Sequence, residues 1–270
     1  MTAVAERVTA PTRRHTARPF AIVRHSLALA KRSLIKTMRT PEQLLDVTLQ
    51  PLIFVVMFVY LLGGAVAGDT HAYLQLLLPA IMVQTTAFGG MATGVNLNTD
   101  IEKGVFDRFR SLPIARSAPL IGSVLGDLIR YVVAIASLLV FGTLLGFRVE
   151  TGFVAAVAAC LLTILFAFSL SWAFVMIGML MRNPGGVQGV AFIVLFPLTF
   201  GTSMIAPAAS MPGWLRAWVD VNPVTHAMNA ARGLMVGGPV ATSVLWTLAW
   251  SAIFLAVFAP LAVAAYRRRA

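Results

Sequence analysis

Two charged side chains, Asp127 and Arg130, interrupt a long apolar stretch of this sequence. Residues three positions apart on a helix share one face, so the two side chains can form an ion pair. Pairing lowers the cost of burying either charge in an apolar medium. A carboxyl group at that depth could instead relay protons. We predict a structural ion pair, with a transport role for Asp127 as the alternative.

A second apolar block is rich in polar and small side chains. Its polar residues are Gln84, Thr85, Thr86, Thr93, Asn96 and Asn98, and its glycines are Gly89, Gly90 and Gly94. Small and polar residues favour contact between helices over exposure to lipid. The block therefore predicts a helix that faces the protein interior or a substrate path, with packing alone as the alternative.

Enzymatic motifs are absent from this sequence. It contains no phosphate-binding G-x-x-x-x-G-K-[ST], no G-x-S-x-G and no H-E-x-x-H. The histidines are His15, His25, His71 and His226, which lack metal-ligand spacing. The single cysteine, Cys160, cannot form an internal disulfide. We predict that the chain is not an enzyme and that it binds no metal or cofactor itself.

The elements that position these residues are predicted to be membrane-spanning helices. The chain is 59% hydrophobic and only 11% charged, and its mean hydropathy is +0.84. A soluble domain cannot bury that much apolar surface, and lipid is the solvent that tolerates it. The apolar blocks run at residues 44–63, 76–97, 119–142, 152–181, 186–206 and 241–264. We predict an all-α membrane protein with six transmembrane helices.

The distribution of Lys and Arg predicts the orientation. Seventeen of the 21 lie on one side of the predicted spans and three lie on the other. The basic side is expected to be cytoplasmic, so both termini are predicted to be cytoplasmic. The net charge of +11 thus reflects topology rather than nucleic-acid binding. Residues 1–40 lack the apolar core of a secretory signal and are predicted to be a cytoplasmic basic tail, with 41–270 as one transmembrane domain.

Two cytoplasmic segments are predicted to be amphipathic helices. In residues 20–39, apolar residues recur every three or four positions. The basic residues of this interface helix are Lys31, Arg32, Lys36 and Arg39. A basic amphipathic helix is typical of the headgroup layer. The second helix covers residues 100–113, between spans two and three, with Asp100 as its cap and Pro113 at its end. Such a helix can contact a soluble partner.

The long loop on the opposite side, residues 205–240, is predicted to contain one or two short helices that dip into the outer leaflet. Trp214 and Trp218 suit the membrane–water interface. Asn222 followed by Pro223 is typical of a helix cap and first helical position. Gly237 and Gly238 are expected to end that helix.

These features resemble the type-2 ABC exporter permeases, and within them the daunorubicin-resistance permease group. The resemblance covers about residues 20–264. It rests on the six spans, the basic N-terminal helix and four local stretches. Those stretches are Glu102-Lys103-Gly104 with Arg108, Leu112-Pro113, Asn222-Pro223-Val224-Thr225 and Asp46-Val47-Thr48-Leu49-Gln50-Pro51.

The resemblance implies a permease subunit that exports hydrophobic or amphiphilic drugs, antibiotics or lipids across the bacterial plasma membrane. Two P-loop ATPase subunits, which carry the ATP and Mg, would work with two permease chains, expected to be a homodimer. Residues 100–113 would be the coupling helix, and residues 207–238, with Asn222 and Pro223, would gate the exit. The ATPase-coupling residues would be Glu102, Lys103, Gly104, Arg108, Arg110, Leu112 and Pro113.

Three other functions stay open at the level of sequence. A permease for lipid-linked polysaccharide shares the same fold. A membrane anchor or sensor would need a soluble domain that this sequence does not show. A proton-coupled carrier would need a titratable group at mid-membrane, and Asp127 is the one candidate.

Overall fold

The computed structural model describes residues 41–105, 118–205 and 210–269. Within these ranges the chain is helical and contains no strand. The eight helices of this part of the chain are α1 Pro41–Ala67, α2 Thr70–Glu102, α3 Ala118–Leu144, α4 Phe153–Leu180, α5 Pro184–Phe200, α6 Gly213–Val221, α7 Pro223–Val236 and α8 Ala241–Arg269.

Five of these helices, α1, α2, α3, α4 and α8, are long and apolar enough to cross a membrane. The block predicted as the fifth span, 186–206, instead contains α5, which is apolar but only 17 residues long. Its helix ends at Phe200, before the block does, with Gly201 as its C-cap, and the chain then bends from Gly201 to Ile205. The described residues therefore contain five helices of spanning length and one shorter apolar helix, and the count of six spans stays a prediction.

Helix α2 is longer than the block predicted for it, 76–97. The Asp69 carboxylate accepts hydrogen bonds from the backbone amides of His71 and Ala72, both at 3.1 Å, and so begins the helix early. At the other end, residues 100–102 form its last turn, and Gly104 follows at a φ of 65°. The separate helix predicted to start at Asp100 does not start there, because α2 continues through that residue without a break.

α2 is also the centre of the bundle. It packs against α1, α3, α4, α5 and α7, and its side chains from Tyr73 to Ala87 are almost continuously buried. A helix surrounded on all sides can carry polar groups because its neighbours, not lipid, cover them. The prediction that this block faces the protein interior is confirmed.

The helices alternate in direction between two ends of the bundle. At one end, Leu97, Val124, Met179 and Tyr266 form a cluster that joins α2, α3, α4 and α8. This end, where α2 and α8 finish, is called the α8-terminal end. At the other end, the Glu150 amide donates to the Met235 carbonyl at 2.9 Å, so α7 is tied to the α3–α4 connection. This second end is called the α7 end.

Several predicted elements lie outside the described residues. They are the basic tail and interface helix within residues 1–40, with Lys31, Arg32, Lys36 and Arg39, and the part of the 100–113 segment that contains Arg108, Arg110, Leu112 and Pro113. Their predicted roles stay predictions.

Candidate functional site

A close backbone contact joins α2 and α4. Gly94 and Gly178 face each other there, and a Cβ built on Gly94 would lie 2.4 Å from the Phe174 carbonyl oxygen. A Cβ on Gly178 would lie 2.6 Å from the Gly94 carbonyl oxygen. Glycine is thus required on both helices, as is typical where two helix backbones approach each other in a membrane.

One turn further along α2, Asn98 bonds to the end of α4. Its side-chain amide donates to the Gly178 carbonyl at 2.8 Å and to the Met181 carbonyl at 3.0 Å. The Gly178 carbonyl belongs to the last turn of α4 and the Met181 carbonyl to its C-cap residue, a region where carbonyls have no partner within the helix. Asn98 therefore fixes α4 to α2 near the α8-terminal end. The four-residue spacing of Gly90, Gly94 and Asn98 was the signal for this contact in the sequence.

Two of the other polar residues predicted on this helix, Gln84 and Asn96, take different positions. Gln84 is buried in the middle of α2, whereas Asn96 is exposed on its outer face. Asn96 and Asn98 point apart because a helix turns about 100° per residue. The structure thus does not bring Asn96 into the α2–α4 contact.

Asp127 and Arg130 form the predicted ion pair. An Arg130 guanidinium nitrogen lies 3.5 Å from an Asp127 carboxylate oxygen, and both side chains are about nine-tenths buried. Both lie on α3, nine and twelve residues after its start at Ala118. The charges therefore lie well inside the helix rather than near its end. Removal of one charge would leave the other buried.

The end of α2 presents Glu102 and Lys103 to solvent. Both side chains are exposed. The Lys103 amide donates to Thr99 O and the Gly104 amide to Ile101 O, both at 3.0 Å, which closes the helix. Gly104 adopts a left-handed φ of 65°, which terminates helices and which a glycine adopts without strain. Glu102, Lys103 and Gly104 thus form the exposed end of the central helix and the turn that closes it.

The predicted cap at Asn222 is confirmed, and its side chain does more than cap. Its carbonyl oxygen accepts from the Val224 amide at 2.9 Å, and Pro223 is the first residue of α7. Its amide nitrogen donates to Leu198 O and Gly201 O, both at 2.9 Å. Asn222 therefore joins the end of α5 to the start of α7.

A partly buried arginine on α7, which the sequence patterns did not single out, joins three more segments. Arg232 donates to Leu76 O at 3.0 Å, to Asn229 Oδ1 at 3.3 Å and to Ser203 O at 3.3 Å. Burial lowers the pKa of this guanidinium from its ordinary value to about 10, so it stays charged at neutral pH. Its isolation among apolar residues of the outer helix was the only signal in the sequence.

The comparisons with known proteins agree with this architecture. The model of the ABC-2 type transporter family matches residues 24–236. The chain is 48% identical over 229 residues to the daunorubicin resistance ABC transporter permease protein DrrB1 of Streptomyces coeruleorubidus, covering 85% of this chain and 81% of that protein.

It is also 29% identical over 203 residues to the doxorubicin resistance ABC transporter permease protein DrrB of Mycobacterium tuberculosis (strain ATCC 25618 / H37Rv), covering 73% of this chain and 70% of that protein. The family match spans most of the chain, from the residues before α1 to the end of α7. Because this match includes the central helix α2 and its neighbours, the chain belongs to the ABC-2 type transporter family, as a multi-pass membrane permease.

Proposed function

We propose that this chain is the membrane-spanning subunit of an exporter that moves hydrophobic or amphiphilic compounds out of a bacterial cell, with a separate ATPase subunit as its motor. The observation that carries the proposal is the continuous helix α2, which runs from Asp69 to an exposed Glu102 through the centre of the bundle. The relatives whose names specify daunorubicin or doxorubicin resistance support a drug-like substrate.

The proposed topology has six spans with both termini in the cytoplasm. α5, at 17 residues, is about as short as a spanning helix can be, since the hydrocarbon core is about 30 Å thick. If α5 spans, the α8-terminal end contains Glu102, Lys103, Arg182 and the end of α8, and this end is the predicted cytoplasmic side. The α7 end then faces outwards, with helices α6 and α7 re-entering the outer leaflet.

Coupling to the ATPase is proposed at Glu102, Lys103 and Gly104, with the segment that continues to Pro113. A force applied at this end acts on α2 directly. It passes to α4 through the glycine contact and through Asn98, which holds the last turn of α4. Two ATPase subunits, which bind the ATP and Mg, and a second permease chain complete the proposed assembly, with the interface helix of residues 20–39 beside the ATPase.

The exit of the substrate is proposed at the α7 end. Asn222 bonds to both α5 and α7, so movement of one of these helices requires movement of the other or loss of those bonds. That linkage is what an outer gate requires, and it supports the gating role proposed for Asn222 and Pro223.

The first test is affinity purification of the tagged chain from its native membrane, followed by mass spectrometry. We expect a P-loop ATPase at about one copy per permease. The second test compares Glu102→Ala with Glu150→Ala, a control that removes an exposed acid from the opposite end of the bundle. Glu102→Ala should lower substrate export at least about tenfold, the effect of losing one charged contact, while ATP hydrolysis continues.

Two results would oppose the proposal. Export by Glu102→Ala at the rate of Glu150→Ala would exclude the coupling role. Absence of any ATPase from gently solubilised complexes would favour a proton-coupled carrier, for which the buried Asp127 is the observation in support. A permease for lipid-linked polysaccharide would instead retain the ATPase but show no stimulation by drug-like amphiphiles.

A further inference from the structure

A cavity of about 380 Å³ opens at the α7 end of the bundle. It lies between the second turn of α2, the helices α6 and α7, and the first turn of α8. Its polar lining includes Ser203, Asp220, Thr225, His226, Asn229 and Arg232. Polar and charged groups that converge on a concave surface are typical of a ligand site.

Arg232 supplies an uncompensated positive charge to this cavity. Across residues 41–105, 118–205 and 210–269, no carboxylate lies within 4 Å of its guanidinium. Its three hydrogen bonds go to neutral acceptors, namely Leu76 O, Asn229 Oδ1 and Ser203 O. A guanidinium has about five N–H groups, so two remain for an anion. A partly buried charge without an ion-pair partner is costly, and an anionic ligand would lower that cost.

Thr225 supplies a second donor. Its side chain is 3% exposed, and its hydroxyl has no hydrogen-bond partner although it lines the cavity. Buried hydroxyl groups are normally hydrogen-bonded. An oxygen atom of a ligand at Arg232 would satisfy this group as well.

Asp220 gives the cavity a negative side. It lies on α6, is exposed, and lines the same cavity beside His226. A simple anion would be repelled by this carboxylate. A ligand with an ammonium group next to its anionic group would satisfy both Arg232 and Asp220.

The position of the cavity matches the headgroup layer of a membrane. Leu76 lies six residues into α2 and Thr242 one residue into α8, so the cavity begins about where these helices enter the bilayer. Trp246, stacked on His226, is half exposed, and Trp214 on α6 is 76% exposed. Exposed tryptophans mark the membrane–water interface.

We propose that this cavity binds the headgroup of an amine-bearing zwitterionic phospholipid, with the phosphate at Arg232 and Thr225 and the ammonium group at Asp220. The inference goes beyond the proposed export function, because it concerns a lipid of the surrounding leaflet and is independent of the direction of transport.

The test measures lipid binding to the purified full-length chain in detergent by native mass spectrometry. The probes are short-chain phosphatidylethanolamine and phosphatidylglycerol, which share a phosphate and differ in the amine. Wild-type chain should bind phosphatidylethanolamine more tightly. Arg232→Gln should weaken binding of both lipids at least about tenfold, as expected for loss of a charged hydrogen bond. Arg216→Gln, which removes an exposed arginine from the neighbouring helix α6, should leave binding unchanged.

Because Arg232 also holds three segments together, two further variants test the site while Arg232 is retained. Asp220→Asn should abolish the preference for phosphatidylethanolamine, whereas Glu150→Gln, another exposed acid at the same end, should retain it. Thr225→Val should weaken binding of both lipids. Binding that is equal in wild type, Asp220→Asn and Thr225→Val would overturn the proposal.

Competition with soluble headgroups separates a lipid site from a phosphate site. Phosphoethanolamine should displace the short-chain lipid, and inorganic phosphate at the same concentration should do so much less. Equal displacement by inorganic phosphate would show that the amine is not recognised and would overturn the assignment of Asp220.

Discussion

Gly94 on α2 and Gly178 on α4 meet so closely that neither position has room for a Cβ atom. A Cβ on either residue would lie within 2.6 Å of a carbonyl oxygen on the opposite helix. At this level of the bundle the two backbones are in direct contact, which adds dispersion to the hydrogen bonds of Asn98.

We expect Gly94→Ala and Gly178→Ala to destabilise the fold by about 1–3 kcal/mol each, because the added methyl group must push the helices apart. Unfolding of the purified chain in mixed micelles would measure the change. Gly189→Ala on α5, where a Cβ would meet nothing within 4 Å, is the control. An equal loss in all three variants would contradict the close-contact explanation.

Asn98 and Asn96 offer a comparison of two asparagines on one helix. Asn98→Leu should cost about 0.6–1.7 kcal/mol, from the average to the largest value measured for hydrogen bonds between membrane helices, because the carbonyls of Gly178 and Met181 lose their donor. Asn96→Leu should leave stability nearly unchanged, since Asn96 is exposed. The same unfolding measurement applies, and a larger loss for Asn96→Leu would refute the assignment.

The Asp127–Arg130 pair predicts strong coupling between two substitutions. Removal of either partner leaves a buried charge, so Asp127→Ala and Arg130→Ala should each cost about 3–5 kcal/mol. The double alanine variant should cost clearly less than the two losses combined. Exchange of the two residues, Asp127→Arg with Arg130→Asp, should recover part of the stability, and strictly additive losses would show that the pair does not act as a unit.

Gly104 predicts a conformational requirement at the end of α2. Its φ of 65° is strained for a β-branched residue, whereas asparagine tolerates it. Gly104→Val should therefore reduce export, because it changes the direction of the segment that leads to the proposed ATPase contact. Gly104→Asn should retain most activity. Transport into inverted vesicles would measure both, and similar export by both variants would argue against a role for this turn.

His226 predicts a dependence of stability on pH. Burial lowers its pKa, and the nearby Asp220 only partly opposes this shift. The unfolded chain therefore binds more protons between the lowered pKa and the ordinary value of about 6.5. Stability should fall as the pH drops below about 6.5 and through that lowered pKa.

The midpoint of thermal unfolding in detergent, followed from about pH 7.5 to about pH 5, measures this effect. His226→Gln should reduce the dependence of this unfolding midpoint on pH. His71→Gln on α2 is the matched control. A slope that is unchanged in His226→Gln would assign the pH dependence to other groups.

Local patterns in the sequence determined several parts of this structure. Long apolar blocks are sufficient to predict the long helices, because each must satisfy its own backbone hydrogen bonds in lipid. The cap at Asn222 and the pair of Asp127 with Arg130 were also predictable, since each depends on residues at most three positions apart.

Only the tertiary structure decided which polar groups meet across helices. Asn98, rather than Asn96, reaches α4 because of the rotation of α2 about its axis, which depends on the close contact at Gly94. Arg232 meets Leu76, 156 residues away, and Asp220 shares its cavity only because α6 and α7 fold back over the start of α2. Hydropathy averages over helix faces, so it contains no information on these contacts, which depend on how the helices pack.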